Sequence, residues 1–127
     1  MTSAVDSVER IQVFRRLHES GWFVMPNPWD IGSARLLAGM GFRALATTSA
    51  GMAWSLGHAD TQVPLGDVLN HLRAMSAAVD LPFNADFEKG FAVDPDGVAK
   101  NVGAGAGTGI AGLSIEDSTG DSAAPIF

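Results

Sequence analysis

Four short apolar runs alternate with helical patterns along the 127-residue chain, and that alternation leaves few folds open. The runs are "WFVMPNP" (22–28), the segment "FRALATTSAGMAW" from Phe42, "LPFNADF" (81–87) and "IAGLSIED" (110–117). Between them lie "IGSARLLAGM", with Asp30 as its cap and Gly41 at its end, then two further helices. The first of these opens at Pro64, with Val68, Leu69, Leu72, Met75 and Val79 on one face. The second opens at Asp94-Pro95, where an acid caps and a proline fits the first turn. Ahead of all four runs, Val5, Val8, Ile11, Phe14 and Leu17 recur at helical spacing and stop before Gly21. Short apolar strands joined by helices predict a parallel sheet with crossover connections.

The length sets the next limit. Four βα units make half of an eight-fold (β/α)8 TIM barrel, which typically takes about 250 residues. The expected fold class is therefore α/β, as an open four-stranded sheet or as a half-barrel. In either case residues 1–127 form one partial domain, preceded by an N-terminal helix. A half-barrel leaves an apolar sheet face uncovered, so a homo-oligomer is expected. Net charge is −6 with eight Lys+Arg, which gives no electrostatic footprint for nucleic acid or an anionic membrane. Cysteine is absent, excluding disulfides, thiolate metal ligands and a cysteine nucleophile. The first ten residues lack a signal-peptide pattern, and no apolar run reaches the roughly 18 residues that span a bilayer. A soluble, cytoplasmic protein is expected.

In a parallel α/β sheet, ligands bind at the C-terminal edge of the strands. Here that edge carries Trp29-Asp30, Thr48-Ser49, Asp86 with Glu88, and Glu116-Asp117. Residues i and i+2 on a strand share a face, so Asp86 and Glu88 would converge on one point. Hard carboxylates at that spacing suit Mg²⁺, with Mn²⁺ as a substitute. They also suit an ordinary solvated loop. Glu116 at the end of the next strand, and Asp60 in the loop after the second, tilt the reading toward a cation.

Other candidates carry weaker signals. "GTGIAG" (107–112) has dinucleotide-loop spacing but follows a helix and enters a strand, the reverse of what that motif needs. The backbone amides at Ser49 and Ala50 form either an anion nest or a plain small-residue turn. His58 is the loop histidine near the edge and a candidate substrate contact, whereas His18 and His71 are expected on helix surfaces. Trp29 either walls a pocket or is a core aromatic.

Together, "PNPWDIGSARLLAGMGFRALATTSAG", "SLGHAD", "LPFNADFEKGF" and "GLSIEDSTGD" resemble the isocitrate lyase / phosphoenolpyruvate mutase superfamily from about residue 14 onward. The resemblance implies a Mg²⁺-dependent barrel that acts on a small 2-oxo or 2-hydroxy carboxylate. It would cleave C–C or P–C bonds through a metal-stabilised enolate. It implies that Asp86 is the direct metal ligand and that Glu88, here in place of an aspartate, holds the metal through water. Glu116 would join them and Asp60 would sit on the gating loop, both with catalytic roles. Ser49 and Ala50 would bind the substrate's oxyanion. The chain departs from the lyases where a K-[KR]-C-G-H loop would follow Glu116-Asp117: it reads "STGDSAAPIF". That argues against the isocitrate and methylisocitrate lyase reactions and toward another branch. A competing expectation is a catalytically inactive half-barrel that folds only as an assembly.

Overall fold

The computed structural model describes residues 4–119 and 121–127. Five helices and three strands follow in the order α1 (Ala4–Leu17), α2 (Ile31–Gly39), β1 (Leu45–Ala46), α3 (Ser49–Ser55), α4 (Leu65–Ala78), β2 (Phe83–Asp86), α5 (Pro95–Ala106) and β3 (Gly112–Ser114). The strands form one parallel sheet in the order β1-β2-β3. The predicted βα alternation is therefore present, and the expected α/β class holds.

Local chemistry accounts for most element ends. The Asp30 carboxylate accepts the Ser33 N–H at 2.7 Å, and the Ser33 hydroxyl accepts the Asp30 N–H at 3.1 Å, closing a reciprocal capping box on α2. Asp94 accepts the Gly97 N–H at 2.7 Å, with Pro95 in the first turn of α5. Of the apolar face expected on α1, the Val5 side chain lies outside the described residues. Phe14 on the same face packs against Gly112, and Arg10 donates to the Ser76 carbonyl at 2.6 Å, fastening α1 to the last turn of α4.

Two expectations need correction. The run at 22–28 is extended but is not a strand, so the described sheet has three strands and not four. The reason is proline. Ala46 donates its N–H to the Pro26 carbonyl at 3.1 Å, and the next ladder bond would need an N–H on Pro28, which has none. The Asn27 side-chain amide donates to the Ala46 carbonyl instead, at 3.3 Å. The second correction is α3, a helix where a strand end and turn were expected. The Thr48 hydroxyl accepts the Gly51 N–H at 3.2 Å and starts it.

The core lies between the sheet and its helices. Leu45, Phe83, Ala85 and Phe87 from the sheet side meet Leu72 and Met75 of α4, all essentially solvent-free. Gly112 opens β3 where no side chain fits: an added Cβ would overlap the Phe14 ring and lie 2.8 Å from Asn84 Oδ1. Gly112→Ala is expected to cost about 1–3 kcal/mol through overpacking, read as a lowered urea midpoint at unchanged slope.

Candidate active site at the carboxyl edge of the sheet

The site is built on the last residue of β2. Asp86 donates its N–H to the Thr47 hydroxyl at 2.9 Å, and its Oδ2 accepts the Ser49 N–H at 2.8 Å. The carboxylate is thus pinned to the start of α3 by the segment that follows β1. Strand geometry ends there. Glu88 lies in a turn closed by the Gly90 N–H on the Phe87 carbonyl at 2.9 Å, with Glu88 itself at φ +48°. A left-handed conformation costs a non-glycine residue about 1 kcal/mol. The same-face argument for a strand therefore does not apply to this pair. The turn brings Glu88 back beside Asp86 by a different route, with the Glu88 N–H 3.4 Å from Asp86 Oδ1.

Glu88 is only 8% exposed. Burial, and then the charges of Asp60, Asp86 and Glu116, push its pKa up to about 7, with Lys89 opposing. The four acids singled out in the sequence therefore act on one point. Glu116 reaches it through the backbone, donating its N–H to the Glu88 carbonyl at 2.8 Å, while its side chain is exposed. Asp60 is exposed in the loop between α3 and α4, where its carboxylate accepts the Thr61 N–H at 2.9 Å. On one side of Glu88 lies an open cleft of about 270 Å³, lined by Thr61, Lys89, Glu116 and Thr119 among others. On the other lies a small cavity shared with Thr47, Ser49 and Asp86.

Trp29, His58 and Ala50 line neither cavity. Trp29 is half-exposed, and its ring lies against Gly51, where an added Cβ would come within 2.8 Å of it. His58 is exposed, its N–H donating to the Ala53 carbonyl at 2.9 Å. Ala50 is half-buried in the first turn of α3. His18 is on the surface as expected, but His71 is not. It turns into the small cavity, with its Nε2 buried. Sequence reasoning also missed the hydroxyl of Thr47, whose role depends on the register between β1 and β2.

Whether these residues suit a divalent cation can be judged from the donor set. Among the described residues, no three acids or histidines gather closely enough to cage an ion by themselves. Mg²⁺ does not require that, since it typically takes one or two carboxylates and keeps several waters. A buried carboxyl whose pKa burial, and then neighbouring acids, raise to about 7 is an oxygen donor that fits such an ion.

Comparison with known proteins identifies the family and the fold. Residues 14–127 match the family model for phosphoenolpyruvate phosphomutase. The chain belongs to the phosphoenolpyruvate phosphomutase family. A solved Burkholderia cenocepacia J2315 protein described as a lyase/mutase shares 46% identity and superposes with a TM-score of 0.93, over 96% of this chain and 44% of that one. An uncharacterized Mycobacterium tuberculosis protein is 37% identical over 85% of this chain and 41% of its own length. A phosphonopyruvate hydrolase, solved with oxalate and Mg²⁺, shares the fold at 21% identity and a TM-score of 0.86, over 93% of this chain and 42% of that one. The chain thus spans about two fifths of the relatives it matches. The expected correspondence to the N-terminal half of the family's barrel holds. No helix among the described residues is long and apolar enough to cross a membrane.

Proposed function

We propose that this chain carries the acidic part of a Mg²⁺-dependent lyase-type active site, acting on a C–C or P–C bond of a small 2-oxo or 2-hydroxy carboxylate. The observation that carries the reading is the buried Glu88 carboxyl beside Asp86 at the carboxyl edge of a parallel sheet, within electrostatic reach of Asp60 and Glu116. Asp86, Glu88 and Glu116 would hold the ion, and Mn²⁺ would fit the same donors. When bound, the cation supplies stabilisation for negative charge developing on substrate oxygens.

The chain's own groups do the rest. The Ser49 amide and the Thr47 hydroxyl fix the Asp86 carboxylate in one orientation. The Ser49 amide, expected to bind substrate, is taken by Asp86, so the Ala50 amide in the first turn of α3 would be the one to face the substrate's carboxylate. Glu116, which lines the open cleft, and Asp60, next to its Thr61 wall, are the groups able to hold or pass a proton. The lyase/mutase and the phosphonopyruvate hydrolase of the same fold support this class of chemistry.

Calorimetry of the chain with Mg²⁺, alone and with oxalate as a substrate-like dicarboxylate, tests the reading. Asp86→Ala is expected to abolish the Mg²⁺ signal while the chain stays folded by circular dichroism. Unchanged affinity would remove the metal assignment.

A second reading rests on the far side of the sheet. Beside β3 lies an apolar trough of about 170 Å³, lined by Ile11, Val102, Ala106, Ile110 and Leu113 among others. In this reading a second copy of the chain covers the trough, and the assembly has no turnover. Native mass spectrometry separates the two: a monomer that binds Mg²⁺ supports the first, and a dimer without Mg²⁺ affinity the second.

A further inference from the structure

α4 carries His71 beside Leu72 and one turn after Val68, and the ring's Nε2 is buried without a hydrogen-bond partner. Buried polar atoms nearly always have one, and leaving one unpaired is costly. The ring lines the small cavity on the inner side of the acids, whose volume is about 10 Å³. That is about the space of one water molecule, which needs two to four polar partners. One wall is apolar, from Met52, Val63 and Leu72; the other is polar, from Thr47, Asp86 and Glu88. Burial lowers the His71 pKa, with the Asp30 carboxylate opposing, so the ring is held in its neutral form. A neutral imidazole offers one donor and one acceptor nitrogen, and either suits a water.

We propose that His71 is a positioning residue: its Nε2 and the Asp86 and Glu88 carboxylates hold a single water between them, which fixes how the acids face the open cleft. The water and the ring stand on the cavity alone. Only the consequence for Mg²⁺ rests on the proposed function. His71→Leu keeps the bulk and removes the polar atom, whereas His71→Gln keeps an amide at similar reach. In thermal melts of the 127-residue chain, the leucine variant is expected to melt about 4 °C lower. Its Mg²⁺ dissociation constant is expected to rise about tenfold, as when groups supporting metal ligands are lost. The glutamine variant should recover most of both. A leucine variant that melts at or above the wild type overturns the proposal, because removing an unpaired buried atom is favourable. So does a glutamine variant no better than leucine. If the wild-type chain binds no Mg²⁺, the metal reading fails, and the order of the melting temperatures alone decides the role of His71.

Discussion

Glu88→Gln is expected to stabilise the metal-free chain by up to about 3 kcal/mol at pH 8 and to have no effect at pH 4. The sign follows from the direction of the shift. Glu88 titrates near 4.5 in the unfolded chain and about 7 in the fold, so folding disfavours its ionised form. Below pH 4.5 both states are protonated and there is no penalty. Between 4.5 and 7 the unfolded state loses its proton first, and stability drains away. Above 7 the full penalty applies, at about 1.4 kcal/mol per pKa unit. Glutamine never ionises and escapes it. Urea melts across this range should show the wild type losing stability relative to the variant between pH 4.5 and 7. Parallel curves would mean that Glu88 ionises freely. Added Mg²⁺ should narrow the gap at pH 8 by supplying the missing positive charge.

Phe87→Ala carries the larger cost. Phe87 stands between the two acids in sequence, and its ring is fully buried in the core, against Gly105 and edge-on to Phe91 at 5.1 Å between centroids. Removing a buried phenylalanine costs about 3–5 kcal/mol, a large share of the 5–15 kcal/mol typical of a domain. The expected result is a large drop in urea midpoint. Any folded fraction should also lose Mg²⁺ affinity, because Phe87 anchors the turn that returns Glu88 to Asp86. A variant with near-normal stability would show that the turn is held by its acids and not by its core side chain.

The sequence made some of this plain and hid the rest for identifiable reasons. Asp30 and Asp94-Pro95 announce their helices because capping is local, needing only residues three apart. The four acids were legible because each stands at or just beyond a strand-like run. The conformation of Glu88 was not, since nothing in "NADFEKG" says that the strand stops at Asp86. The turn there is settled by the burial of Phe87. α3 was hidden because Thr48-Ser49-Ala50-Gly51 reads equally as a turn or as a capped helix start. His71 was misplaced for a different reason. It flanks the apolar stripe of Val68, Leu72 and Met75, and only the position of β2 decides whether that flank meets water or the acids.

The prolines beside β1 have a further consequence. A sheet edge with free amides and carbonyls can recruit strands from other molecules. On the β1 side, Pro26 and Pro28 withhold two donors, and the Asn27 side chain occupies the Ala46 carbonyl that an incoming strand would use. The β3 side has no such device, and no strand lies beyond it among the described residues. β1 is thus already occupied at Ala46, whereas β3 is open, and a strand that joins past Gly112–Ser114 does so next to Glu116.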